Sequence, residues 1–143
     1  NKTLHDSSLS KCTHAILAND LGIKDMAYNL YEGALSIDLG PEMKSSNEGI
    51  HSASTGGIWE STVMGFGGVR MEGSALRIAP KLPENWSRLA FPLVWQGQTL
   101  KVTATKDSVS VENCGEQKVE ILLGENKTVI EPKTTKTQKT DGR

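Results

Sequence analysis

No apolar run in this sequence is longer than the seven residues from Leu89 to Trp95, and that run contains Pro92. A helix that spans a bilayer needs about 20 apolar residues, so no transmembrane helix is expected. A surplus of positive charge is lacking as well, because 16 Lys+Arg stand against 17 Asp+Glu for a net charge of -1. With nothing spare to neutralise a phosphodiester backbone or an anionic membrane, nucleic acid and membrane are poor partners. Cysteine is scarce. Cys12 and Cys114 lie far apart, with no CxxC and no histidine pair at metal-ligand spacing, so two reduced thiols are expected and no metal site. A nucleophile elbow, an HExxH and a GxGxxG are all absent. The chain opens NKTLHDSS, without an initiator Met, a charged n-region or an apolar h-region, and is expected to be a piece of a longer polypeptide. Sequons at Asn1, Asn85 and Asn126 are near chance in a chain so rich in Ser and Thr.

What is present is enough to fold: 36% hydrophobic residues together with 14 glycines is ordinary for a globular chain. Helical spacing occupies the first part. Asp6 can cap a helix whose apolar positions are Leu9, Cys12, Ile16 and Leu17, and Gly22 stops it. Asp25 can cap a second, with Met26, Ala27, Leu30, Tyr31, Ala34 and Ile37 as one broad stripe up to Gly40-Pro41. A third is expected to begin in the Ile50 to Trp59 stretch and to continue through Val63, Met64 and Phe66, with the Gly65 to Gly68 cluster as its terminator. Near Gly73 the period changes to two. Leu76 and Ile78, Leu89 to Trp95, Leu100, Val102 and Ala104, Val109 and Val111, Val119, Ile121 and Leu123, then Val129 read as about six short strands of an antiparallel sandwich. Gln96-Gly97 and Lys106-Asp107 sit where tight turns belong. Domains are therefore expected at 1–72 (helices) and 73–131 (sandwich), with 132–143 a disordered polar tail that has no apolar residue to offset its ordering entropy.

Chemistry concentrates in Glu48-Gly49-Ile50-His51-Ser52-Ala53-Ser54-Thr55-Gly56-Gly57. A helix that opens in small and hydroxyl residues presents unpaired N–H groups and the positive end of its dipole, an arrangement suited to an anion such as phosphate. His51 just ahead of it adds a donor or a proton relay. The same residues equally suit a capped helix packed tightly on a neighbour. His5-Asp6-Ser7-Ser8-Leu9-Ser10 repeats the grammar, and packed helical hairpins could bring both starts to one end. His14 reads as a packing histidine. Asp6, Asp38, Glu42, Glu48 and Glu60 show no spacing that marks an acid and base pair, since such a pair is defined in space.

The strings HDSSLS, AYNLYEGALSIDLG, EGIHSASTGGIWESTVMGFGGVR and LRIAPKLPENWSRLAFPLVWQGQTLKV resemble, in order and spacing, the C-terminal part of the family 65 glycoside hydrolases, chiefly disaccharide phosphorylases acting on maltose, trehalose, kojibiose or nigerose. The likeness spans residues 3 to about 104, weakens through 131 and has no counterpart in the tail. It implies a mixed α and β architecture: the C-terminal helices of an α/α toroid, then an antiparallel β-sandwich of jelly-roll type. It also implies an inverting reaction in which inorganic phosphate, the co-substrate, attacks an α-linked glucose disaccharide while a glutamic acid protonates the leaving oxygen. That acid would lie upstream of Asn1, so no catalytic residue is expected in this chain and the chain alone is expected to be inactive. His51 matches the family's phosphate-contacting histidine, Ser7 and Ser8 its hydroxyl-bearing loop, and Gly56 and Gly57 its tight helix start. Hydrolytic relatives place a carboxylate where His51 stands, and Glu48 keeps hydrolysis open. The remaining partners implied are the rest of the catalytic domain and a second copy in a homodimer; no cofactor and a cytoplasmic location are expected. Two readings of another class stand beside this one: a carbohydrate-binding module with Trp59, Trp86 and Trp95 as stacking platforms, and a structural domain with no ligand.

Overall fold

The computed structural model describes residues 9–39 and 49–140. It divides into a helical unit up to Phe66 and a β unit from Gly67 onward. The division falls ahead of the expected 72/73 boundary because Val69–Glu72 is already a strand.

In the helical unit, α1 (Ser10–Asp20) and α2 (Lys24–Leu35) form a hairpin. Gly22 ends α1 as the sequence led one to expect. It adopts φ 75°, its N–H donates to the Asn19 carbonyl, and the Ile23 N–H reaches back to Ala18. This is the two-bond closure that favours glycine, because a side chain in the left-handed region is strained. The caps differ from expectation: Ile23 rather than Asp25 precedes α2, and Asp6 lies outside the described residues. The buried face of α1 differs too. Cys12, Ala15, Ala18 and Asn19 are buried, whereas Leu9 and Leu17 are about half exposed (53% and 52%). Small residues allow the helices to approach closely, and the larger side chains are left outside.

The third helix, α3 (Ser52–Glu60), runs into a π-helical turn, Ser61–Phe66. Such a turn widens the helix and frees carbonyls. Here the buried Asn19 side chain donates to the Gly65 carbonyl at 3.0 Å, and the Ser61 hydroxyl lies 2.8 Å from the Gly57 carbonyl and 3.1 Å from that of Cys12. Tyr31 of α2 packs edge-on against Phe66, with ring centroids 5.2 Å apart, and its hydroxyl is 2.9 Å from that of Thr62. His14 is satisfied locally, its ring Nδ1 lying 2.7 Å from the Ser10 carbonyl. The unit nevertheless leaves Leu21, Ile23, Met26, Leu39, Ile50 and Trp59 well exposed.

The β unit is a sandwich of eight strands: β1 (Val69–Glu72), β2 (Ala75–Ile78), β3 (Arg88–Trp95), β4 (Gln98–Thr105), β5 (Ser108–Asn113), β6 (Val119–Leu123), β7 (Asn126–Ile130) and β8 (Thr135–Lys139). One sheet has the order β1-β2-β6-β7 and the other β3-β4-β5-β8. All pairs are antiparallel except β2 with β6, which run parallel. Gly73 is the β1–β2 turn, Gln96-Gly97 joins β3 to β4, and Lys106-Asp107 joins β4 to β5. Alternation puts Leu76, Ile78, Val119, Ile121, Leu123 and Ile130 from one sheet against Leu100, Val102, Ala104, Val109 and Val111 from the other, all at most 3% exposed. In β7 the inward residue is Ile130, and Val129 faces out. Buried Asn113 ties the layers: its amide donates to the carbonyls of Gln117 and Ile130, and its oxygen accepts the Gly115 N–H.

The expected disordered tail is corrected as far as residue 140. Residues 135–139 form β8, paired with β5 from Ser108↔Lys139 to Glu112↔Thr135. An edge strand needs no buried side chains. Alternating threonines favour the extended chain, lysines at an edge discourage further pairing, and the ladder to β5 supplies the hydrogen bonds.

Candidate functional site

The sequence candidates fall in three places. Ser7 and Ser8 lie outside the described residues, as does Glu48. Gly56 and Gly57 lie within α3 rather than at its start. A Cβ at Gly56 would meet nothing, but one at Gly57 would sit 2.8 Å from Cys12 Sγ and 2.9 Å from Cys12 Cβ. Gly57 thus lets α3 lie directly on α1, a packing reason for the residue that is separate from any ligand. Burial in that contact pushes the Cys12 thiol above its ordinary pKa, so it stays neutral. Both cysteines are free.

His51 occupies the third place, as the residue preceding α3, with φ -81° and ψ 76°. Its carbonyl accepts the Thr55 N–H, which closes the first helical turn. The N–H groups of Ala53 and Ser54 find no acceptor among the described residues; Ala53 is exposed, whereas Ser54 is buried against α1.

The His51 ring is held by Asp38, just past the end of α2. Ring Nδ1 lies 2.6 Å from Asp38 Oδ1, and the His51 backbone N–H donates to the same carboxylate at 3.0 Å (Oδ2) and 3.2 Å (Oδ1). A carboxylate only accepts, so Nδ1 carries the proton of the short bond. The hydrogen bond from the His51 ring, helped by the backbone N–H, holds the Asp38 carboxyl below its ordinary pKa against a smaller opposing effect of burial. About a third of the His51 side chain is exposed, and Nε2 makes no hydrogen bond among the described residues. The site therefore offers an imidazole fixed at one nitrogen and open at the other, beside a helix N-terminus.

Asp38 stands among the carboxylates that sequence reasoning names, with no role assigned to it. It is thirteen positions from His51 and across the segment 40–48, and no periodicity links them. Trp59 is exposed at 61%, whereas the Trp95 ring N–H is buried and has no partner among the described residues, so these two tryptophans do not share one environment.

A family model described as the glycosyl hydrolase family 65 central catalytic domain matches residues 1–60, and that of the same family's C-terminal domain matches residues 69–130. The chain belongs to glycosyl hydrolase family 65. It is similar to a family 65 kojibiose phosphorylase of Halothermothrix orenii, 48% identical over 117 residues, covering 82% of this chain and 15% of that protein. It is also similar to an α,α-trehalose phosphorylase of Thermoanaerobacter brockii, 36% identical over 129 residues, covering 90% of this chain and 17% of that one. Among solved structures, a human-microbiome protein assigned as a kojibiose phosphorylase superposes with a TM-score of 0.86 at 29% identity, over 96% of this chain and 19% of that chain. The chain thus spans less than a fifth of the length of these family 65 relatives and corresponds to a C-terminal portion of them. No helix among the described residues is long and apolar enough to cross a membrane.

Proposed function

We propose that this chain is the C-terminal portion of an inverting α-glucoside phosphorylase and supplies part of its phosphate site, with His51 as the phosphate-contacting histidine. The observation that carries this reading is the Asp38–His51 pair at the start of α3. Phosphate must be held against water by several donors and a positive charge. An imidazolium that gives Nδ1–H to Asp38 has Nε2–H left for a phosphate oxygen, and the unpaired N–H of exposed Ala53 lies in the next turn. A histidine in place of a carboxylate at this point favours phosphate over activated water as the nucleophile. Ser7 and Ser8 complete the site by family likeness.

The general acid is a glutamic acid upstream of Asn1, and the rest of the catalytic domain contributes the sugar subsites. The helices then belong to an α/α toroid. The exposed Leu17, Leu21, Met26, Leu39 and Trp59 support this, since an outward apolar surface on so small a helical unit calls for further helices to cover it. The substrate is an α-linked glucose disaccharide, with kojibiose and trehalose favoured by the relatives' activities. The chain by itself has no phosphorolytic activity.

The deciding experiment is His51→Ala in the full-length enzyme, with phosphate and disaccharide varied separately. A raised phosphate KM or lost phosphorolysis in a folded enzyme is expected; unchanged phosphate kinetics would refute the role.

A further inference from the structure

The Asp38 carboxylate takes two different N–H groups of one residue, the backbone amide of His51 and its ring Nδ1. This chelate does more than tether a loop. The backbone bond fixes where the residue begins α3, and the ring bond fixes the rotation of the imidazole. The proton between Nδ1 and a carboxylate only 2.6 Å away cannot be given up without leaving two acceptors face to face. Every change of protonation or hydrogen bonding at the ring is then confined to Nε2.

We infer that Asp38 is the positioning residue for His51, locking the ring with Nδ1 protonated so that Nε2 alone meets the substrate oxyanion, as a donor when the ring is charged. The inference rests on the phosphate reading above, but the state of the ring can be read independently of it. Free neutral imidazole prefers the proton on Nε2, which would leave no change of state for that nitrogen to make as the ring charges. Asp38 reverses this preference by accepting the hydrogen bond from Nδ1–H. Among the described residues Asp38 is the one charged partner of His51: Lys11, Asp20, Lys24, Asp25, Glu32 and Glu60 of the helical unit form no ion pair with it.

The test is made in the full-length enzyme. Asp38→Asn keeps the size of the side chain but removes its charge, and the amide then sets either its NH2 or a single shared oxygen where two carboxylate oxygens accept the His51 N–H groups. The phosphate KM is expected to rise at least about tenfold, with the disaccharide KM within about twofold. Asp38→Glu is expected to restore part of the loss. A phosphate KM within twofold of wild type would overturn the inference, as would equal losses for both substrates. Should Asp38→Asn fail to fold, nitrogen NMR of the wild-type His51 ring decides the matter. A neutral ring protonated at Nδ1 supports the lock, and one protonated at Nε2 overturns it. If His51→Ala leaves phosphate kinetics intact while the ring is protonated at Nδ1, the phosphate reading fails and the lock stands.

Discussion

Gly56 and Gly57 are neighbours in one helix, and alanine at each is expected to act in opposite directions. In a helix interior alanine is favoured over glycine by about 0.8–1.0 kcal/mol. At Gly56 the new methyl meets nothing, so Gly56→Ala should gain most of that amount. At Gly57 the methyl would stand 2.8 Å from Cys12 Sγ and 2.9 Å from Cys12 Cβ, and the second of these atoms cannot swing aside without moving α1. Inserting a methyl into a closed contact costs about 1–3 kcal/mol. The propensity gain is common to both variants and cancels in their difference, which is expected to equal that overpacking cost. Urea unfolding of the chain, followed by far-UV circular dichroism, measures it. Cys12→Gly in the Gly57→Ala background should recover part of the loss, because the methyl then moves from one helix to the other; such neighbours are expected to be non-additive. Equal stabilities for the two alanine variants would refute the helix contact and return Gly57 to the pool of ligand-binding candidates.

Deletion of residues 132–143 should weaken the sandwich, because β5, with Val109 and Val111 buried, would become an unprotected edge; amide exchange along β5 unchanged by the deletion would restore the disordered tail. The Asp38 carboxyl should titrate by NMR below the ordinary aspartate range and return toward it in His51→Ala. Because its pKa is lower in the folded protein than in the unfolded chain, its contribution to stability is present above the unfolded pKa and fades as pH falls through the folded one. A midpoint at or above the usual value would show that the clamp does not form in solution.

Much of the β unit was legible because period-two alternation is a direct consequence of one-sided burial. The pairs Val102 and Ala104, Val109 and Val111, and Ile121 and Leu123 stand inward as their spacing implies. β8 was hidden because it buries almost nothing, and β1 because a four-residue strand next to a helix carries too few residues to show a period. In the helical unit the spacing located the helices but misjudged the buried face of α1, where Cys12 and Ala15 make the close contact and Leu17 is left outside. Patterning treats large apolar residues as the buried ones, an assumption that fails where helices meet through small side chains. The same limit governs the site. His51 stood out by its neighbours at a helix start, whereas Asp38 acquires meaning only when the chain returns to place a carboxylate against that imidazole.

The proposed function turns on the contact of His51, held by Asp38, with phosphate. Its most direct test is the phosphate dependence of disaccharide phosphorolysis by the full-length enzyme carrying His51→Ala, measured at saturating disaccharide. Loss of one charge-assisted hydrogen bond is worth about 1.5–3 kcal/mol, so the phosphate KM is expected to rise by about 10- to 150-fold, or saturation to be lost altogether. A phosphate KM equal to that of the wild type in a correctly folded variant would contradict it.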